Sequence, residues 1–392
     1  MGRTRPGDGA VGPRVALRRR LTGNASPVST ARARELERGS KERTPYSRIG
    51  RRRRGLEEHI TLPPLRSAES FGQPPERARA RRLRYFTRCF VAVSVSMDRS
   101  RPDWLDVDEY PFDPHYFKTD HGAMHYVDEG KGAPVIFVHG NPSWSFQFRH
   151  QIRRLSASNR CIAPDHIGFG LSDKPFDWDY LPQGHAEHLE KFLDSLDLSG
   201  ITLVVEDWGG PIGLSYALRH PERVRNLVIS NTWLWSVRRQ LYYQMFSGLI
   251  GGPLGRYLIR KRNFFAKSIM VRTFGVKSRL TPKIHEQYLR PLGSPEDRKG
   301  CWVFPKQIVG ASKWLSSLWD RREALAGKRI LFAWGMRDIA FREKELNHWR
   351  RAFPNSQEVR YEDAGHFVSE EKPEELTLEI QRLLEAPSGS HV

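Results

Sequence analysis

The residue whose chemistry is most conspicuous in this chain is Asp207, which follows an apolar run and precedes two glycines. Residues 203–210 read LVVEDWGG, so a β-branched segment ends in two acidic residues, a tryptophan and a tight turn. This pattern predicts a buried parallel strand that turns abruptly into a helix. A carboxylate on such a turn is ionised near neutral pH and can attack carbon without a base to activate it. Asp207 is therefore a candidate nucleophile for a reaction that forms and then hydrolyses an ester on the protein.

Two neutral hydrogen-bond donors accompany the candidate nucleophile. Trp208 is the next residue, and Asn141 belongs to the motif HGNPSW at residues 139–144, directly after an apolar run. An indole offers one N–H and no acceptor, which suits an anion that cannot itself be protonated. Two such donors aimed at one point would stabilise the charge that develops as a carbon–halogen bond breaks. Trp208 and Asn141 are thus a predicted halide-binding pair.

A base and an acid are predicted later in the chain. His366 stands in the motif DAGHF at residues 363–367, on a loop after the last strand-like segment. Asp338 ends the motif AWGMRD at residues 333–338, where another apolar strand runs into a turn. A histidine oriented by a carboxylate can act as a general base. We expect His366 to be the base and Asp338 its partner.

Beyond the first 96 residues, strand-like runs alternate with amphipathic helical segments, as a doubly wound, mostly parallel sheet requires. The order nucleophile, acid, histidine resembles that of the α/β-hydrolases, whose nucleophile occupies a strained strand-to-helix turn. This resemblance implies an α/β-hydrolase fold whose oxyanion hole uses the backbone N–H groups of Asn141 and Trp208. We expect the core at residues 97–232 and 320–392, and a helical cap at residues 233–319, inserted after the sixth strand.

The same part of the chain resembles the haloalkane dehalogenases. The matching motifs are HGNPSW at 139–144, DHIGFGLSDKP at 165–175, EDWGG at 206–210 and DAGHF at 363–367. The resemblance implies a halogenated aliphatic substrate and water, an alcohol, halide and a proton as products, and neither metal nor organic cofactor. Some relatives place the acid after the sixth strand, where this chain reads SNT at residues 230–232 and has no carboxylate. An Asp-His-Asp triad with an Asn-Trp halide pair resembles the third dehalogenase subfamily.

Other interpretations of these motifs stay open. An epoxide hydrolase shares the nucleophile and the base but needs phenols from the cap to protonate the epoxide oxygen. The tyrosines available for that role are Tyr242, Tyr243, Tyr257 and Tyr288. A luciferase-like oxygenase that needs no cofactor uses the same scaffold, and a fluoroacetate-type dehalogenase would have arginine in place of Trp208. A non-catalytic binding protein would have no use for a complete triad.

The positive charge of the chain is concentrated at its start. The 392 residues carry a net charge of +19, and residues 1–96 contribute +15, with 23 Lys and Arg against 8 Asp and Glu. This Arg-rich segment has no hydrophobic period, so we expect a disordered or dispensable extension. A basic arm can bind nucleic acid or an anionic surface. From Met97 onward the composition is that of an ordinary folded protein, which favours an extension that does not bind nucleic acid. Nucleic acid is therefore not an expected partner.

The cysteines and the apolar segments favour a cytoplasmic enzyme. The three cysteines, Cys89, Cys161 and Cys301, show no paired spacing, which favours a reducing compartment and argues against disulfides and a zinc site. No apolar segment approaches the ~20 residues of a membrane span, so we expect no membrane partner. The sequence leaves the natural substrate and the oligomeric state open.

Overall fold

The computed structural model describes residues 99–386, and the extension predicted at residues 1–96 lies outside them. The described chain folds into one eight-stranded sheet flanked by helices. Its strands are β1 (His115–Thr119), β2 (Gly122–Glu129), β3 (Ala133–Val138), β4 (Asn159–Pro164), β5 (Ile201–Glu206), β6 (Val224–Ser230), β7 (Arg329–Gly335) and β8 (Gln357–Tyr361).

The sheet has the strand order β1-β2-β4-β3-β5-β6-β7-β8. β1 and β2 pair in antiparallel fashion, β2 is also antiparallel to β4, and the strands from β4 to β8 run parallel. The predicted doubly wound, mostly parallel sheet is confirmed. The apolar runs of the sequence correspond to β3 to β7, because these strands are covered on both faces and need continuous apolar residues. The edge strand β8 reads QEVRY and is only partly buried. β1 and β2 contain no continuous apolar run, since polar residues interrupt both strands and β1 is only partly buried.

Helices cover both faces of the sheet and fill the longer connections. Within the described residues the α-helices are α1 (Arg149–Leu155), α2 (Pro182–Ser195), α3 (Gly209–Arg219), α4 (Leu241–Ile250), α5 (Pro253–Arg262), α6 (Met270–Thr273), α7 (Pro282–Leu289), α8 (Lys299–Gly310), α9 (Ser312–Asp320), α10 (Glu343–Ala352), α11 (Val368–Glu371) and α12 (Pro373–Glu385). A π-helical turn, Phe265–Ile269, directly precedes α6. None of the helices in residues 99–386 has the length and apolar character of a membrane crossing.

The connection from β6 to β7 is built from helices joined by loops. It contains α4 to α9, and no strand occurs between residues 231 and 328, all of which the structure describes. Residues from α4, from the π-helical turn and from α8 line a cavity that also contains Asp207. The helical insertion after the sixth strand therefore covers the carboxyl end of β5, as the α/β-hydrolase arrangement requires.

Candidate active site

The turn from β5 into α3 holds Asp207 in a strained backbone conformation. Its φ is 51°, in the left-handed region that is unfavourable for a residue with a side chain. The glycines that follow permit close packing, because a Cβ on Gly209 would lie 2.0 Å from the Val138 carbonyl oxygen. The Thr232 hydroxyl donates to the Asp207 carbonyl oxygen and ties the turn to the end of β6. The fold thus fixes Asp207 at the carboxyl edge of the sheet.

The two carboxylate oxygens of Asp207 have different surroundings. Oδ1 accepts a hydrogen bond of 2.8 Å from the backbone N–H of Asn141. The loop can approach this closely because residue 140 is glycine, and a Cβ there would lie 2.3 Å from the same oxygen. Oδ2 lies 3.4 Å from Nε2 of His366. One oxygen is therefore held by an oxyanion-type donor, and the other faces the histidine.

His366 lies between two carboxylates. Its Nδ1 is 2.8 Å from Oδ2 of Asp338, and the side chains of both residues are buried. Its backbone N–H donates to the Thr273 carbonyl oxygen across 2.9 Å, which fixes the loop after β8 against α6. The structure thus brings together Asp207, His366 and Asp338, which lie far apart in the sequence.

The protonation of His366 follows from these neighbours. Burial by itself lowers the pKa of the imidazole, but the charge of Asp338 and hydrogen bonding to Asp207 and Asp338 outweigh that effect. The pKa of His366 is therefore raised well above its usual value. An imidazolium between two carboxylates is the stable form while both carboxylates are charged.

Asn231 also contributes to the site, although the sequence indicated only that its position lacks a carboxylate. Its amide Nδ2 donates to Oδ2 of Asp338 across 2.9 Å. Its Oδ1 accepts from the Gly335 N–H across 2.8 Å, so the residue bridges the ends of β6 and β7. The Ala340 N–H donates to the other oxygen of Asp338 across 2.6 Å. No local signal in the sequence indicates this role, because the partners lie more than 100 residues away.

The two predicted halide donors lie beside the nucleophile. Asn141 and Trp208 are buried and line the cavity with Asp207. Within residues 99–386 the side-chain N–H groups of Asn141 and Trp208 have no acceptor, and Oδ1 of Asn141 is buried without a partner. The Trp208 ring is held by edge contact with Trp233 at 4.7 Å between centroids and by stacking on Phe304 at 5.0 Å. The fold positions both donors without using their hydrogen-bonding capacity.

The cavity over Asp207 is apolar and has a volume of about 70 Å³. The apolar residues that line it, besides Trp208 and the tyrosines, are Pro142, Phe246, Phe265, Ile269, Met270, Pro305, Ile308, Ile339, Ala340, Phe341 and Phe367. Most of these positions come from the cap, where the sequence analysis assigned no lining residue, since helical periodicity does not show which face meets the core. Such walls exclude water and accommodate an aliphatic chain.

The tyrosines considered for epoxide protonation are committed elsewhere. Tyr242 and Tyr243 line the cavity, but their hydroxyls donate to two backbone carbonyls of the loop after β7, across 2.7 and 2.9 Å. The Tyr288 hydroxyl donates to a buried glutamate, and Tyr257 is 57% exposed and does not line the cavity. The described residues therefore present no uncommitted phenol over Asp207.

Glu206, directly before the nucleophile, is a second unforeseen feature. Its side chain is buried, and one carboxyl oxygen accepts from the Ser369 hydroxyl across 3.1 Å. The other oxygen has no partner among the described residues. Burial raises the pKa of Glu206 to about 8. A neutral carboxyl thus lies beneath the nucleophile at neutral pH.

Potential metal ligands occur away from the cavity. Within residues 99–386, Glu190, Asp194 and His220 form the group close enough to share an ion. Arg219 and His220 already pair with the Glu190 carboxylate, each across 2.8 Å. This surface cluster is therefore accounted for by ion pairing.

Comparison with known proteins places this geometry in a family. The model for the α/β-hydrolase fold matches residues 133–373. The haloalkane dehalogenase 2 of Mycobacterium tuberculosis is 36% identical over 273 residues, which cover 69% of this chain and 94% of that protein. The chain belongs to the haloalkane dehalogenase family of the α/β-hydrolases. The resemblance drawn from the sequence motifs is confirmed.

Two further relatives are informative, one a solved structure and the other an enzyme named for a different reaction. The crystal structure of the haloalkane dehalogenase DatA from Agrobacterium tumefaciens matches with a TM-score of 0.62 and 26% identity, covering 69% of this chain and 96% of that chain. The cis-3-alkyl-4-alkyloxetan-2-one decarboxylase of Shewanella oneidensis is 36% identical over 296 residues, covering 70% of this chain and 89% of that protein. A relative named for a different activity thus has the same 36% identity to this chain.

Proposed function

We propose that this member of the haloalkane dehalogenase family hydrolyses haloalkanes to an alcohol, halide and a proton through an alkyl ester on Asp207. The observation that carries the proposal is the arrangement around one carboxylate. Asp207 opens into an apolar cavity, where the side-chain N–H groups of Trp208 and Asn141 have no acceptor among the residues that the structure describes. Nucleophile, leaving-group donors and water exclusion thus meet at one place.

In the first step, Oδ2 of Asp207 attacks the sp³ carbon and displaces the halogen as halide. We assign attack to Oδ2 because Oδ1 is engaged by the Asn141 backbone N–H at 2.8 Å. The leaving group departs as an anion and needs no acid. The indole of Trp208 and the amide of Asn141 stabilise its charge, and such donors have most effect in a site that excludes water.

In the second step, water attacks the carbonyl carbon of the ester and His366 accepts its proton. The backbone N–H groups of Asn141 and Trp208 stabilise the oxyanion on Oδ1. The ester then breaks between this carbon and Oδ2, and Oδ2 leaves with the alkyl group and takes the proton from His366 to become the alcohol. Asp207 is left as a carboxylic acid that contains the oxygen of water; it gives its proton to His366, which passes it to solvent.

Alkylation itself prepares His366 to act as the base. In the resting site, two carboxylates keep the pKa of the imidazole high. Forming the ester removes the charge of Asp207, so that one of the two anions holding the proton disappears. The pKa of His366 then falls, and the neutral imidazole needed for hydrolysis appears once the ester is in place. Asp338 keeps the ring oriented and stabilises the charge that returns during hydrolysis.

The domain boundaries follow from the same proposal. Residues 97–232 and 320–392 form the core that carries the triad, and residues 233–319 form the cap that closes the cavity. Residues 1–96 contribute nothing to catalysis. Support comes from the cavity lining, which combines cap side chains such as Phe246 with core side chains such as Phe367.

The decarboxylase relative supplies a second candidate activity. A β-lactone with two alkyl chains is also an apolar electrophile, and the decarboxylase named for such a lactone shares 36% identity with this chain. The uncommitted donors of Trp208 and Asn141 favour the dehalogenase activity. An epoxide hydrolase is disfavoured because the cavity tyrosines donate to backbone carbonyls.

A single-turnover experiment in ¹⁸O water tests the proposal. With enzyme in excess over 1-bromohexane, we expect bromide release, ¹⁸O in the carboxylate of Asp207, and hexanol that carries unlabelled oxygen. Labelled hexanol would show direct attack by water and would contradict the ester mechanism. Parallel assays with a cis-3,4-dialkyl oxetan-2-one and with styrene oxide separate the candidate activities. Carbon dioxide or diol without any bromide release would overturn the dehalogenase assignment.

A further inference from the structure

The cap carries an exposed apolar face on α4 and α5. Ten large apolar side chains are exposed among residues 99–386, and six of them lie within residues 241–257. These six, 40% to 69% exposed, are Leu241, Tyr242, Met245, Leu249, Leu254 and Tyr257. Three of the four on α4 recur at every fourth position, so they form a stripe along one side of the helix. Clustering of this kind marks an interaction surface, whereas singly scattered apolar residues do not.

The same segment is strongly basic. Residues 233–319 contain 16 Lys and Arg against 3 Asp and Glu, whereas the rest of the chain beyond residue 96 contains 25 against 34. Twelve of the 16 basic residues are exposed. A positively charged cap thus sits on a core with an excess of acidic residues. An apolar stripe accompanied by Lys and Arg is the composition of helices that lie on anionic bilayers.

Two grooves bring the positive charge next to the apolar stripe. One groove is lined by Arg256, Lys261 and Lys306, and the other by Arg238 and Lys306. Both grooves include the turn of residues 251–252 between α4 and α5. Since Leu249 and Leu254 flank this turn in the sequence, a surface that meets the turn meets leucine and basic side chains together.

The apolar face is continuous with the mouth of the catalytic cavity. Tyr242 belongs to the face and also lines the cavity. Its hydroxyl donates to the carbonyl of Ile339, which is 47% exposed and lines the cavity as well. Tyr242 and Ile339 thus place exposed apolar surface at the cavity, beside the guanidinium of Arg342, which lies 4.8 Å from the Tyr242 ring.

We infer that α4 and α5 form a docking face for an anionic lipid bilayer, from which apolar substrates enter the cavity. The chain's own residues 1–96 carry +15 and would be repelled by a basic cap. A second copy in a two-fold interface would oppose two basic surfaces. Nucleic acid would match the charge but not the exposed leucines. Peripheral docking needs no spanning helix, so the docking face revises the expectation of no membrane partner.

The test compares two charge-matched double variants of the full chain. Leu249→Asp with Leu254→Asp alters the docking face, whereas Val107→Asp with Leu378→Asp alters two exposed residues of the core. We expect wild type to float with vesicles of equal phosphatidylcholine and phosphatidylglycerol, and to float poorly with pure phosphatidylcholine. Vesicle affinity should fall at least ~10-fold in the docking-face variant and within about twofold in the core variant.

Activity gives a second readout. Bromide release from a long-chain bromoalkane dissolved in anionic vesicles should fall in the docking-face variant, while release from a short, water-soluble bromoalkane should match wild type. Flotation does not depend on turnover, so its outcome is separate from that of the dehalogenase proposal.

Three results would overturn the inference. Equal flotation of wild type and the docking-face variant would assign vesicle binding to another segment, such as residues 1–96. A fall in mass by light scattering with unchanged flotation would make the face an interface between copies. Loss of binding to duplex DNA with unchanged flotation would make it a nucleic-acid surface.

Discussion

Asn231 donates its side-chain amide to Oδ2 of Asp338 across 2.9 Å, and this is the oxygen that also pairs with His366. The contact joins the end of β6 to the loop after β7. The resemblance implies that some relatives place a carboxylate after the sixth strand, whereas here the amide at that place supports a carboxylate on the loop after β7. The proposed acid of the triad is thus held by a residue that has no charge of its own.

This contact predicts that two variants slow ester hydrolysis to different extents. Asp338→Asn should lower the rate of ester hydrolysis by roughly 10²–10⁴-fold, because the imidazole loses its anionic partner. Asn231→Ala should lower it by roughly 10–100-fold, as expected when a group that orients a catalytic residue is lost. Rapid quench should show that alkylation is less affected than hydrolysis in both. Near-normal turnover of Asp338→Asn would rule out Asp338 as the acid.

Replacing the base should trap the intermediate. His366→Phe should still be alkylated by a bromoalkane and then stall, because attack needs the carboxylate while hydrolysis needs the base. Mass spectrometry should find one alkyl group on the peptide that contains Asp207. Asp207→Ala is the control and should remain unmodified. An unmodified peptide from the His366 variant, under conditions where wild type is alkylated, would contradict the assignment.

Removing the indole N–H should slow the first step. Trp208→Phe keeps a ring to pack against Trp233 and Phe304 but loses the donor to the departing halide. We expect alkylation to slow by about 10²-fold, the usual effect of losing one donor to a developing anion. The loss should be larger for a chloroalkane than for an iodoalkane, since chloride carries the more concentrated charge. An equal effect on both substrates would point to altered packing instead.

Burial of Glu206 predicts a pH-dependent stability. Its pKa is raised to about 8 in the native state, whereas an unfolded glutamate titrates near ~4.3. Between these values the native state holds a proton that the unfolded chain has released, so the free energy of unfolding falls as pH rises and levels off above pH ~8. Glu206→Gln cannot titrate and so removes this loss. The free energy of unfolding of the variant, measured relative to that of wild type, should therefore be higher at pH ~8 than at pH ~5.

Guanidinium denaturation at the two pH values measures this difference. Glu374→Gln, an exposed position at the start of α12, is the control and should change little. If Glu206→Gln and wild type differ by the same amount at both pH values, Glu206 does not titrate between them.

Deleting residues 1–96 should leave the dehalogenation of soluble substrates nearly unchanged, because the triad and the cavity lining lie within residues 99–386. The measurement is kcat/KM for a short bromoalkane in the full chain and in the truncated chain, with circular dichroism as the folding control. A folded but inactive truncated chain would place part of the site in the extension.

Local sequence was enough to indicate the nucleophile, its turn and the parallel strands. Asp207 could be recognised because a strand, a strained turn and a helix start are all encoded within residues 203–210. His366 and Asp338 could be proposed from their order, since both follow predicted strands whose carboxyl ends meet at one edge of a parallel sheet.

The tertiary structure decided everything that depends on which distant groups meet. The support of Asp338 by Asn231 depends on residues separated by 107 positions. The hydrogen bonds of the cavity tyrosines and the apolar face on α4 and α5 depend on which helix sides the fold buries. The raised pKa of Glu206 depends on the burial of the end of β5. Hydrophobic spacing shows that a helix has an apolar side, but whether that side meets the core, a cavity or the outside is set by long-range packing.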